Sequence, residues 1–395
     1  MSPVFLNALG IVCNLGAGKA AVAEALFAGD AGRLLPEDGW IPGHAPPMGT
    51  VRAPLPPIPE PLAAHRDNRC NRLLLAAATE IETDVRTAIA RHGRDRIGVV
   101  IGTSTGGIEE ATAGLAGWRR DGTWPGDYRY AHQELAGPAE CLAEWLDLAG
   151  PCYALSTACT SGARALLSAR RLLDLGVCDA VLCGGVDTLA RLPLNGFHAL
   201  EAMDGARCRP FATDRAGINI GEAAALFLAS REPGPVALLG GGASSDAHHM
   251  SAPEPDGRGA VAAMRAALAD AGLEPAQIDY LNLHGTATEH NDRMESRAVA
   301  EVFPAGVRCA STKSLTGHTL AAAGALEAAF CWLSLADPAR RLPPQATGGD
   351  RDPQLPALDL VRAGEHLPPG RPRRLMSNVF AFGGNNASLI LGDAP

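Results

Sequence analysis

Short aliphatic and β-branched runs, most of them closed by Gly, Ser or Asn, recur at residues 4–9, 97–101, 180–183, 224–229, 236–239, 280–283 and 389–391. Between many of them lie Ala/Leu-rich stretches with apolar positions three or four apart, at 73–91, 163–175, 260–271 and 320–335. The first pattern predicts strands and the second helices. Their alternation predicts an α/β fold with mostly parallel, buried sheets. Residues 31–61 and 343–369 are rich in Pro and Gly and carry neither period, so they are expected to run over the surface. The run Arg231-Glu232-Pro233-Gly234-Pro235 separates two apolar strands and marks the predicted boundary between two halves, 1–234 and 235–395. In each half a strand leads to a reactive side chain: 153–156 to Cys159, and 280–283 to His284. The self-similarity is too faint to define a repeat.

Composition narrows the partners. A chain of 395 residues with 47% hydrophobic content can bury the core of two domains or of one large duplicated one. With 34 basic against 43 acidic residues, the formal net charge of −9 argues against nucleic acid as a partner. The ten cysteines are scattered without a C-x-x-C pair, which predicts reduced thiols in a cytoplasmic protein and no metal site. Residues 3–15 read as a strand and turn rather than a signal peptide. The most apolar stretch, 320–336, carries Glu327 in its middle, so a soluble chain with no membrane span is expected.

Cys159 follows a short strand and a turn of small residues and opens a long amphipathic stretch. A helix start offers unpaired N–H groups and the positive end of the helix dipole, and both favour a thiolate. The expectation is a lowered thiol pKa; taken alone, a cysteine there is also an ordinary packing residue. His284 follows an apolar strand in Leu-His-Gly-Thr-Ala-Thr, where a parallel sheet presents ligand-facing residues. Thr286 and Thr288 offer hydroxyls at alternate positions, suited to an extended polar arm. His318 lies where Lys313-Ser-Leu-Thr-Gly-His318 meets an Ala-rich helix. A buried, satisfied histidine accounts equally well for either one alone. Lys313, Asp292, Glu295 and Glu327 are expected to form a charged network around them, structural, functional or both. Gly383 and Gly384 allow backbone geometry closed to other residues.

The order and spacing of these segments resemble the β-ketoacyl-acyl carrier protein synthases of the thiolase superfamily, nearest the elongating synthases. Carrying the resemblance are Ile-Gly-Thr-Ser-Thr-Gly-Gly at 101–107, Thr-Ala-Cys-Thr-Ser-Gly around Cys159, Arg-Pro-Phe-Ala-Thr-Asp-Arg at 209–215, and Ser-Ser-Asp-Ala-His-His-Met at 244–250. His-Gly-Thr-Ala-Thr, Lys-Ser-Leu-Thr-Gly-His and Phe-Ala-Phe-Gly-Gly complete the set.

The resemblance implies a thiolase-like five-layered αβαβα fold of two similar halves, usually in a homodimer. It implies Cys159 as nucleophile, assisted by His284 and His318 in a decarboxylative condensation of an acyl group with malonyl on a carrier protein. Decarboxylation of a malonyl thioester puts charge on the thioester oxygen, and neutral imidazoles can donate N–H bonds to that enolate. The implied oxyanion hole is the backbone N–H of Cys159 and Phe382, with Phe382 also a gate and Lys313 the active-site lysine. Substrates ride on the phosphopantetheine of acyl carrier protein, without metal or separate cofactor. Arg66, Arg69, Arg72, Arg119 and Arg120 are expected to dock that acidic carrier.

Four positions depart from the family pattern: Ala381 and Asn385 in the glycine loop, Ala216 after Arg215, and Thr105 where an acyl-pocket wall residue is expected. They bear on the substrate, in primary fatty acid or in polyketide or polyene synthesis. The rival reading is a non-condensing, chain-length-determining subunit of a heterodimer, against which the intact Cys159, His284 and His318 count.

Overall fold

A computed structural model of the protein describes residues 3–126, 128–346 and 350–394. Ten principal strands form the frame: β1 (Val4–Cys13), β2 (Ile97–Gly102), β3 (Cys152–Leu155), β4 (Ala180–Asp187), β5 (Ala223–Ser230), β6 (Ala237–Ser245), β7 (Tyr280–Asn282), β8 (Arg308–Ala310), β9 (Arg374–Phe380) and β10 (Asn385–Gly392). Their spatial order is β3-β2-β4-β5-β1 in the N-terminal half and β8-β7-β9-β10-β6 in the C-terminal half. Each half thus runs third, second, fourth, fifth, first. The directions match as well. β2 is parallel to β3 and β4, as β7 is to β8 and β9. The fifth strand of each half is antiparallel to its fourth and first. The two five-strand units join where Val4 and Phe5 meet Leu238 and Ala237, extended by the Leu6 N–H donating to the Val236 carbonyl.

Helices complete the layers. α1 (Arg69–Glu80) covers one outer face against β1 and β5, and α3 (Arg258–Ala271) covers the other against β6 and β10, with α4 (Glu289–Val302) beside it. Between the two units lie α2 (Ser161–Asp174) and α5 (Ala323–Ala336). This is the five-layered α/β architecture of two similar halves. In α5 every residue from Ala323 to Leu335 is buried, Glu327 included, because that helix has protein on all sides. α2 and α5 can cross closely because Gly162 and Gly324 meet alanines: a Cβ on Gly162 would lie 2.8 Å from the Ala325 nitrogen.

The matching halves correct the pairing of reactive segments read from the sequence. β3, which leads to Cys159, is the third strand of its half, whereas β7, which leads to His284, is the second. The counterpart of the Cys159 segment is therefore the stretch after β8, which carries Lys313 and His318. Two further expectations shift. The stretch 73–91 is two helices, Arg69–Glu80 and Glu82–His92, broken at Ile81, where φ is −116° and ψ 12°. The segment 31–61 is irregular but not merely superficial, since Met48 and Val51 are buried. Among the described residues no helix is long and apolar enough to cross a membrane, and no group of three His, Cys, Asp or Glu is placed to hold a metal ion.

Candidate active site

Cys159 sits just before α2, on a turn held in an unusual shape. Ala158 has φ 51°, a left-handed conformation that disfavours non-glycine residues. Ser161 holds it by accepting from the Thr157 N–H (2.9 Å) and donating to the Ala158 carbonyl (2.5 Å). The turn aims the sulfur at the C-terminal half, where His318 Nε2 lies 3.0 Å away. His318 is fixed through its backbone: its N–H donates to the Asn219 carbonyl (2.6 Å) and its carbonyl accepts from Gly221 N–H (3.0 Å).

His284 closes the group, its ring centroid 5.2 Å from that of His318 and nearly perpendicular to it. Glu295, reaching from α4, accepts the N–H groups of His284 (2.7 Å) and Gly285 (2.6 Å). Asp292, one turn earlier, accepts from Phe211 (2.7 Å) and Ala287 (3.2 Å), two residues with φ of 66° and 65°. Strained backbone at the site is thus held by buried acids on one helix. Lys313 Nζ pairs with Glu327, donates to the His284 carbonyl at 2.5 Å, and lies 3.3 Å from His284 Nδ1. An ammonium facing Nδ1 requires that nitrogen to accept, which leaves Nε2 of His284 as the N–H donor.

Burial dominates the electrostatics. It pushes the Cys159 thiol up to about 12, although the Lys313 charge and the N–H groups of Phe382 and Cys159 pull the other way. The sequence reading had the opposite sign, because depth outweighs the helix start. Burial, assisted by Lys313, holds both imidazoles well below the usual histidine value, so they are neutral at pH 7. Glu327 is pushed up to about 7 and Glu295 to about 8 by burial, opposed by Lys313 in the first case and by two N–H bonds in the second.

Cys159, His284, His318, Thr286, Thr288 and Phe382 line one cavity of about 400 Å³. Thr286 and Thr288 share a hydrogen bond of 2.9 Å between their hydroxyls. Phe382 is 37% exposed and packs against Phe197 at 5.3 Å. Its loop carries left-handed residues at Gly383 and Gly384 (φ 79° and 74°), whereas Ala381 is extended at φ −129° and needs no glycine. Thr105 lines no part of this cavity; its hydroxyl donates instead to buried Asp187 (2.8 Å).

The five arginines do not form a free basic patch. Arg66 pairs with Glu140 and Glu144, Arg69 with buried Glu222, Arg72 with Asp67, and Arg120 with Asp121. Arg119 is exposed and has no ion pair among the described residues. Asp187, Asn219 and Phe211 were not singled out from the sequence. For Asp187 the signal was an acid closing an otherwise apolar strand.

A thiol facing one imidazole, beside a second oriented by a lysine, is the constellation of a condensing enzyme with a thiol nucleophile. The comparisons agree: residues 59–233 match the beta-ketoacyl synthase N-terminal domain and 236–347 the beta-ketoacyl synthase C-terminal domain, so the chain belongs to the β-ketoacyl synthase family. It is 31% identical over 367 residues to 3-oxoacyl-[acyl-carrier-protein] synthase 2 of Staphylococcus aureus, covering 83% of this chain and 84% of that protein. Its fold superposes with TM-score 0.94 on a solved chain of the ketosynthase ApeO in complex with its chain length factor ApeC from Xenorhabdus doucetiae, at 47% identity over 100% of this chain and 98% of that one. The ishigamide ketosynthase/chain length factor follows at TM-score 0.88 and 27% identity, with both chains fully covered. The activity of the family is acyl transfer onto a carrier-bound unit to give a 3-oxoacyl product, with substrates held on phosphopantetheine and no separate cofactor.

Proposed function

We propose that this β-ketoacyl synthase works by a ping-pong sequence centred on Cys159. The observation that carries the reading is the 3.0 Å approach of His318 Nε2 to the Cys159 sulfur inside the cavity that His284 shares. His318 accepts the thiol proton as the sulfur attacks an acyl-carrier thioester, and that proton leaves with the carrier thiol. This coupling overcomes a thiol that burial keeps protonated. The oxyanion forms against the N–H groups of Cys159 and Phe382, the two backbone groups that favour negative charge at the sulfur. Malonyl carrier then enters with its pantetheine arm along Thr286 and Thr288. Loss of carbon dioxide leaves an enolate whose oxygen accepts a hydrogen bond from the His284 Nε2–H, with His318 beside it. The enolate carbon attacks the Cys159 thioester, the 3-oxoacyl product forms as the sulfur leaves as a thiolate, and that thiolate takes a proton from solvent by way of His318 to restore the thiol.

Lys313 orients His284, and Glu327, Glu295 and Asp292 hold Lys313 and the loops in place. The division at 234 and 235 is supported by the repeated strand order and by the two family domains ending at 233 and starting at 236. The carrier docks first through exposed Arg119, which has no ion pair among the described residues; Arg66, Arg69, Arg72 and Arg120 each hold a carboxylate of this chain that the carrier's acids would have to displace. The chain acts in the cytoplasm as a dimer. Likeness to ketosynthases solved with chain length factors favours a related, non-identical partner over a second copy, and specialised polyketide or polyene synthesis over primary fatty acid synthesis.

Intact-mass measurement after mixing with acyl carriers of graded length tests the nucleophile and the chain preference together. Wild-type protein gains one acyl group on Cys159, and Cys159→Ala gains none. An adduct of unchanged stoichiometry on Cys159→Ala overturns the assignment.

A further inference from the structure

Asp187 ends β4 and is completely buried. Its Oδ1 accepts from the Thr103 hydroxyl (2.8 Å), the Ser104 N–H (2.8 Å), and both the N–H (2.9 Å) and hydroxyl (2.8 Å) of Thr105. Its Oδ2 accepts from the Ser104 hydroxyl (2.5 Å) and from the N–H of Ala321 (2.8 Å). None of these partners is a cation, so a buried anion is held by hydrogen bonds alone.

The last contact crosses from one half of the molecule to the other and lands beside the site. Ala321 follows Leu320, a buried residue with φ 50°, which begins the short turn Leu320–Ala322 two residues after His318. A left-handed conformation is unfavourable for leucine, whose Cβ crowds the following carbonyl oxygen. It persists where neighbouring contacts fix it. The 103–105 turn is itself anchored to β2, so the carboxylate ties the Leu320 turn to a rigid frame.

We propose that Asp187 is a positioning residue, whose carboxylate fixes the left-handed turn at Leu320 and through it the placement of His318 against Cys159. The inference rests on the role given to His318 above. An asparagine at 187 that keeps its oxygen toward the Thr103–Thr105 donors turns its NH2 toward the Ala321 N–H, donor against donor. Asp187→Asn should therefore disturb the turn more than Asp187→Ala, which removes the acceptor without adding a donor. A role in packing alone predicts the reverse order. A role as a negative charge near the thiol predicts faster alkylation once the charge is removed, since the Asp187 charge raises the Cys159 pKa.

The test measures iodoacetamide alkylation of Cys159 by peptide mass, together with kcat and carrier KM, in both variants. Expected for Asp187→Asn is alkylation and kcat lower by roughly 10- to 100-fold, with KM within about twofold because Asp187 lies outside the cavity. Asp187→Ala is expected to show a smaller loss in the same direction, and it carries the test alone if the asparagine variant does not fold. Alkylation at or above the wild-type rate in the folded variants, or a larger loss for alanine than for asparagine, overturns the proposal. His318→Ala separates the two layers. If it alkylates and condenses like wild type, the reading of His318 fails and takes this inference with it; if it is impaired while the Asp187 variants match wild type, only the positioning role fails.

Discussion

The two halves share one strand order but spend their strand ends differently. After its second, third and fourth strands the N-terminal half places the Thr103–Thr105 turn, Cys159 and Asp187. The C-terminal half places His284, then Lys313 and His318, then the Phe382 loop. In the proposed mechanism the nucleophile thus comes from one half and both imidazoles, with the lysine beside them, from the other. A single frame, used twice, supplies complementary chemistry through its loops rather than through its sheets.

That division can be broken most sharply at the histidines. His318→Ala and His284→Ala should each lower condensation by about 10²- to 10⁴-fold, with different signatures. His318→Ala slows acylation of Cys159, whereas His284→Ala leaves acylation near normal and slows malonyl decarboxylation. Single-turnover mass measurements and carbon dioxide release separate the two steps. Equal effects on both steps would erase the distinction between the imidazoles.

Lys313 offers the next largest effect. Lys313→Ala leaves Glu327 buried without its cation and should cost about 3–5 kcal/mol of stability, read from urea midpoints. Combining Lys313→Met with Glu327→Gln should recover much of that stability while activity stays low, because nothing then directs His284 Nδ1. Recovery of activity along with stability would make the lysine purely structural.

The smallest effect concerns pH. The unfolded chain takes up a proton at each histidine below about pH 6.5, whereas the fold keeps both imidazoles neutral. They therefore lend stability that is complete above pH 6.5 and is lost as pH falls below it. His318→Asn should flatten the stability slope between pH 6.5 and 5 by up to about 1.4 kcal/mol per pH unit. An unchanged slope would mean that the folded protein protonates His318.

Much of this was legible in the sequence. Cys159, His284 and His318 stood out because each sits between an apolar run and small residues at an element boundary, and their order along the chain is specific. The sign of the Cys159 shift was not legible, because the sulfur is enclosed by His284, His318 and the Phe382 loop, which come from distant sequence. β8 is illegible because Arg308-Cys309-Ala310 carries a charge and no β-branched or aromatic residue, and β9 because Ser377 and Asn378 interrupt its apolar pattern. Without β8 and β9 the repeated strand order could not be counted. Asp187 looked like any acid after a strand, since its six donors come from residues far away in the chain.

The pairing of β1 has a consequence for the birth of the protein. Phe5 lies opposite Ser230, and its neighbour Val4 reaches Leu238. A nascent chain must therefore keep its first strand waiting until more than half of the polypeptide has left the ribosome, and contacts so distant in sequence form slowly. Cys159 is synthesised long before Lys313 and His318 exist to face it. Turnover is thus a late event in the life of each molecule, and its onset during refolding would report the docking of the two halves rather than the formation of either one.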